Sequence, residues 1–430
     1  MPRPPLVCPW FVRRLAGRLV ASAILGGTAL FADAPALLAE EPAPTAATDS
    51  TTLVATAPER NDSGGLRGVL LRRGIGVEVD LKTDSSANVS GGLHRGGVVR
   101  GLVFAGLSID TARLLGWPSG HLFAGFQAHQ GRSKALVGDA QGFDNLDAVH
   151  FRQLSELWYE QGLLEGKLRL RVGKQDASRD FASVKNAVDF LNSSAGFSPT
   201  IQGFPSYPDP ATGASLSVAP RAWIYSSAGI FDGATHEGCH GRTGNRGPST
   251  LWGAPDALFV IAETGFRWTA GGGLAGRAGA GVWRHTGTFE RFEGGQAHGT
   301  AGTYVVLEQG LWRADATTPD GSTAAAFAQL GWADGSVSDV DRHWSGGLTW
   351  TGLLPGRGHD VLGAMVSAVR FTGAPHASHL RRRETAVEAL YRLRLLAWAT
   401  LQSDLQLVAN PAGGSFRRAV AGTARVEVAF

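Results

Sequence analysis

From Val420 to Phe430 the chain alternates with a period of two. Val420, Gly422, Ala424, Val426, Val428 and Phe430 fall on one face, and Ala421, Thr423, Arg425, Glu427 and Ala429 on the other. A continuous apolar face backed by a polar face of both charge signs suits a strand that divides lipid from water. The same alternation recurs between Gly, Asp, Pro or Asn turns in 74–83, 98–109, 120–129, 151–161, 165–174, 221–231, 257–269, 274–285, 300–313, 322–334, 341–353, 359–371, 383–395, 398–409 and 417–430. These are fifteen segments. A bacterial single-chain barrel takes an even number of strands, so about 16 are expected, with one merged or missed.

The split of polarity is clearest in 384–395. Glu384, Ala386, Glu388, Leu390, Arg392 and Arg394 face one way, and Thr385, Val387, Ala389, Tyr391, Leu393 and Leu395 the other. Its partner sets Thr400, Gln402, Asp404, Gln406 and Val408 against Leu401, Ser403, Leu405, Leu407 and Ala409. The pair reads as a hairpin, apolar outward and charged inward. Trp268, Trp283, Trp312, Trp344 and Trp350 fall near strand ends, where an aromatic girdle belongs. The fold class expected is an all-β transmembrane antiparallel barrel, and a terminal aromatic such as Phe430 is characteristic of outer-membrane barrels recognised by the barrel-assembly machinery.

Glycine supplies 59 of 430 residues, spread through the alternating segments, as a strongly curved sheet requires. Beyond the first 35 residues no apolar run is long enough for a spanning helix. Arg3, Arg13, Arg14 and Arg18 precede an apolar stretch, Leu19 to Ala32, and then small residues, so 1–39 reads as an export signal cleaved before Glu40. That segment holds four Arg and one Asp, so 40 − 4 and 37 − 1 leave 36 charges of each sign and a neutral mature chain. Residues 40–73 read as a flexible periplasmic leader and 74–430 as the barrel. Cys239 is the one cysteine beyond the signal, so no internal disulfide is expected.

Residues 176–220 break the pattern. Phe181 to Ala195 has a helix-like period that puts Phe181, Val184, Val188 and Leu191 on one side and Lys185, Asp189 and Asn192 on the other. Proline-rich chain follows. An insertion of this length inside a barrel, carrying its own apolar anchors, reads as a loop folded inward to narrow the pore.

Several segments together resemble the carbohydrate-selective porin (OprB) family. They are Leu154 to Asp176 (LSELWYEQGLLEGKLRLRVGKQD), Phe190-Leu-Asn-Ser-Ser, Gly196-Phe-Ser-Pro, Tyr207-Pro-Asp-Pro, Glu308-Gln-Gly-Leu-Trp and Phe327-Ala-Gln-Leu-Gly-Trp-Ala-Asp, then Gly352-Leu-Leu-Pro-Gly-Arg, Asp360-Val-Leu-Gly, Glu384 to Leu395, Leu401-Gln-Ser-Asp-Leu-Gln and Asn410-Pro. The resemblance runs from about residue 75 to the end and departs from the family at 236–250. It implies a sixteen-stranded outer-membrane channel for monosaccharides and related polyols. A general, non-selective porin is the alternative.

A sugar pore needs water, fixed donors and acceptors, and some flat apolar surface. Lys167, Arg169 and Arg171 recur at every second position with Leu168, Leu170 and Val172 between them, a basic ladder aimed into the lumen. Glu156, Glu160 and Glu165, and Asp176, Asp180 and Asp189 of the insertion, are the acidic partners expected to line the pore with it. His236, Cys239 and His240 lack a fourth ligand, so no metal is expected. No cofactor is expected, and no catalytic constellation stands out, so the chain is not read as an enzyme.

Overall fold

The computed structural model describes residues 65–132, 136–234, 257–314, 321–374 and 379–430. The export signal, most of the leader and the His236–Cys239–His240 cluster lie outside the described residues. Sixteen antiparallel strands form one closed barrel in which sequence neighbours pair. They are β1 (Ile75–Ser90), β2 (Gly96–Asp110), β3 (Gly120–Gln130), β4 (Phe151–Leu163), β5 (Leu168–Gln175), β6 (Ala211–Arg221), β7 (Ile224–Asp232) and β8 (Leu258–Ala270). Then come β9 (Leu274–Glu290), β10 (Gln296–Arg313), β11 (Thr323–Ala333), β12 (Val340–Thr351), β13 (Val361–Phe371), β14 (Arg383–Leu396), β15 (Ala399–Ala409) and β16 (Ala419–Ala429). β1 pairs with β16 to close the sheet, and Phe430 N donates to Val79 O at 2.9 Å while Val79 N donates to Phe430 O at 3.3 Å. Closure leaves no unpaired sheet edge.

The alternating faces fall as the pattern requires. Leu405, Leu407, Val387 and Val426 are exposed on the outside, while Glu384, Glu388, Gln406 and Arg425 are buried inside. Trp268, Trp312, Trp344 and Trp350 lie exposed on the outer face. Trp283 does not join them. It is 2% exposed and packs inward against Phe259, with ring centroids 6.1 Å apart.

The strand missing from the sequence reading is β6, inside the 176–220 insertion, which therefore ends at 210. Its inward face is Ala211, Gly213, Ser215, Ser217 and Ala219, too small and mild to announce an alternation. Leu66–Arg72, assigned to the leader from sequence, forms a short helix leading into β1. Strands join by short turns at the rim where β1 begins and β16 ends, whereas at the other rim β3 is separated from β4, β5 from β6 and β7 from β8 by longer stretches of sequence. In outer-membrane barrels the short-turn rim is periplasmic and the long loops are extracellular.

Candidate functional site

Two of the extracellular loops turn into the barrel, and glutamates of the inner wall hold them there. Along 176–210, Ala182 N donates to Glu263 Oε2 at 2.8 Å, and Asn186 N to Glu308 Oε1 at 2.9 Å. Leu191 N and Asn192 N donate to the two oxygens of Glu388 at 2.6 and 3.0 Å. The loop thus crosses from β8 past β10 to β14. It returns along the wall, where Gln329 Nε2 donates to Ala195 O at 2.7 Å and His343 shares a 3.0 Å bond with Ser198. The neck closes where Ala177 N donates to Pro205 O at 2.8 Å. Gly331 makes one close approach possible, since any side chain there would collide with the Ser198 and Thr200 hydroxyls. Two of the wall carboxylates are neutralised together. Arg277 bridges Glu263 and Glu308 at 2.7 and 2.9 Å and also donates to Ser183 O.

The helix expected over Phe181 to Ala195 does not form. Only a 3-10 turn at Lys185–Ala187 and a single helical turn at Ser193–Gly196 appear. The reason lies with Ala182, Asn186, Leu191 and Asn192: backbone N–H groups that a helix would satisfy internally go to wall carboxylates instead. Phe181, Val184 and Leu191 are buried as the periodicity required. Val188 is instead 71% exposed, and Asn192 is buried, donating through Nδ2 to Gln406 Oε1 at 3.1 Å.

A second stretch, 136–150, also turns inward, which the sequence pattern does not announce. Ala140 N and Gln141 N donate to Glu384 at 2.9 and 3.2 Å, and Gln406 Nε2 donates to Phe143 O at 2.6 Å. Asp144 pairs with the fully buried Arg100, and Arg425 donates to both Asp84 and Asn145 at 2.6–2.7 Å. The two loops bond to each other, Asn145 N to Leu191 O and Ser193 N to Gly142 O, both at 2.7 Å.

Of the site residues expected from sequence, four come together. Arg171 donates to Glu160 and Asp180, both at 2.7 Å, and Arg169 reaches the same two carboxylates at 3.6 and 3.5 Å while remaining partly open. Glu156 instead takes Arg179 through both oxygens and accepts from Asp176 N at 3.3 Å. Burial, and then the Glu156 charge, raise the Asp176 carboxyl above its ordinary value. Asp189 lies apart, 3.2 Å from Arg392, whose other arm approaches Glu427 at 3.7 Å; Glu427 meets Lys82 at 3.0 Å. Lys167 leaves the ladder. It sits exposed in the turn before β5, at the periplasmic rim, because the strand begins at Leu168, three residues later than the alternating segment 165–174 suggested.

The loop 176–210 lies against β8 and β10–β14, and the partly open charge pairs fall along its edge and on the wall beyond: Lys82 and Glu427 on β1 and β16, Arg392 on β14 beside Asp189 of the loop, and Arg169 on β5 beside its Asp180. A family model described as carbohydrate-selective porin, OprB family, matches residues 95–430. The chain belongs to the OprB family of carbohydrate-selective porins. It is a bacterial outer-membrane channel. Among solved structures, the OprB of Pseudomonas putida in its high-pH structure is 18% identical, covering 87% of this chain and 98% of that chain with a TM-score of 0.75. The low-pH structure of the same protein is 16% identical at equal coverage, with a TM-score of 0.58. At these identities the likeness speaks for the fold. No curated protein matches.

Proposed function

We propose that this OprB-family porin passes monosaccharides and related polyols by passive diffusion, with the 176–210 loop setting the size limit. The observation that carries the reading is the pairing of charge on the open wall. Lys82–Glu427–Arg392–Asp189 and Arg169–Glu160/Asp180 place donors and acceptors side by side with little net charge. Such pairs hydrogen-bond hydroxyl-rich neutral solutes without a strong field for either ion sign. Export through residues 1–39, contact of the outer face with lipid and recognition of Phe430 by the barrel-assembly machinery belong to the same reading, as does a purely transporting, non-enzymatic role.

The test is single-channel recording in planar bilayers with a panel of sugars. Monosaccharides are expected to block the ion current at concentrations where larger oligosaccharides do not enter. A current that falls only with solution viscosity, alike for every sugar, would mean a general porin. Hydrolysis assays on the purified barrel are expected to release nothing.

A further inference from the structure

Two inward-facing carboxylates stand apart from the others. Glu156, Glu160, Glu263, Glu308 and Glu427 are each engaged by an arginine or lysine. Glu78 and Asp80, at successive inward positions of β1, take no hydrogen bond or ion pair from any described residue, and both are half-buried. Beside them in register, Asp80 faces Phe104 of β2. Phe104 begins a row of rings across three strands. Its centroid lies 6.4 Å from that of Phe123 at 19° between planes, and Phe123 lies 5.2 Å from Trp158 at 23°.

The row is rigidly held. Gly125 lies next to the Phe104 and Phe123 rings, which a Cβ would approach to 3.2 and 3.1 Å. Arg179 covers Phe123 at 5.3 Å and Arg171 covers Trp158 at 4.6 Å, each guanidinium fixed by its own carboxylate. Phe123 is buried beneath this layer, whereas Phe104, at the free end, is half-exposed. Gly106, opposite Glu78, has no room for a side chain beside that carboxylate.

We propose that Phe104, Asp80 and Glu78 form a pyranose-binding subsite on the open wall. The flat C–H face of a sugar ring rests on Phe104, and neighbouring hydroxyls donate to Asp80 and Glu78. An aromatic face beside two unpartnered carboxyl groups matches a solute with one apolar face and a rim of O–H donors. The capping arginines leave Phe104 as the ring free to take it. The proposal rests on the reading of the chain as a sugar channel and adds where, and by which face, a sugar is held.

The test compares block of the single-channel current by glucose with block by glucitol, an open-chain hexitol without a ring face. Phe104→Leu is expected to weaken glucose block about tenfold and to change glucitol block less than about twofold. Phe104→Tyr is expected to retain both. Asp80→Asn and Glu78→Gln are expected to weaken both blocks, with sugar-free conductance confirming an intact barrel in each variant. A parent channel blocked by glucose whose Phe104→Leu variant is unchanged, or loses both blocks equally, overturns the subsite alone. So do Asp80→Asn and Glu78→Gln variants that alter ion preference but not sugar block. A parent blocked by no sugar overturns the conduction reading, and the subsite with it.

Discussion

Glu388 offers the sharpest test of how the pore loop is held. Its side chain is fully buried in β14, and among the described residues no cation pairs with it. Its two oxygens accept from Leu191 N and Asn192 N. Glu388→Ala removes both acceptors and strands two buried N–H groups, each costing about 1–3 kcal/mol, so about 2–6 kcal/mol together. Removing a desolvated carboxylate returns part of this. A net loss of about 2 kcal/mol remains, which is about 30-fold in the local opening equilibrium. The sixteen-strand ladder is untouched, so the barrel should still assemble. Ser194→Cys, in a chain with Cys239→Ser, gives a probe at a site that is 1% exposed. With opening fast and labelling slow, its reaction with a small charged thiol reagent reports the open population. The rate should rise about 30-fold on adding Glu388→Ala, and less with Glu388→Gln, which keeps one acceptor. A rate within about twofold of the parent would show that the carboxylate clamp does not hold the loop.

Other outcomes follow from the same geometry. Replacing 182–204 by a short Gly/Ser link, with the Ala177–Pro205 neck kept, should raise conductance and erase discrimination by sugar size, read in the bilayer assay. Arg169→Ala should shift ion preference toward cations with the loop in place, whereas Arg171→Ala, which leaves Glu160 and Asp180 without their closest cation, should loosen the loop to protease. Leu405→Arg, on the outer face at mid-strand, should cost about 2–4 kcal/mol in equilibrium folding into liposomes. Burial, and then the neighbouring Glu384 charge, push the Asp139 carboxyl up to about 7. A folded value above the unfolded one means that the native loop binds this proton more tightly. Its stabilisation is therefore full at low pH and fades as pH rises from roughly 4 through about 7. Proteolytic nicking of 136–150 should be faster at pH 8 than at pH 5, and Asp139→Asn should flatten that difference.

The wall of this molecule was legible because lipid enforces it. Every outward position from Leu401 to Leu407 and from Val420 to Val428 must be apolar or small, so period two survives in the sequence. β6 escaped because Ser and Ala serve its inward face, and only Leu216 and Val218 mark the outer one strongly. The interior was readable as charged but not as paired. Glu384 and Glu388 were assigned to the water side, yet nothing local says that they would cap the backbone of loops more than 190 positions away. For the same reason the period through 181–195 misled. It reported which residues are buried, correct for Phe181, Val184 and Leu191, while the hydrogen bonds that decide between helix and extended loop came from the wall. Asp80 and Glu78 were not singled out either, because what distinguishes them is the absence of a partner.

The joint between β1 and β16 carries a kinetic consequence. Every other strand pairs with a neighbour in sequence and can zip as soon as both are present. This seam unites residues 330 or more positions apart, so it pays the largest loop-closure entropy and belongs at the end of the folding reaction. Arg425 sits on the seam and binds Asp84 across it, and it also holds Asn145 of the inward loop. Shutting the cylinder and seating the 136–150 loop are thereby coupled through one guanidinium. A chain with this seam unformed would carry two bare sheet edges open to pairing with other chains, and the closed barrel has none.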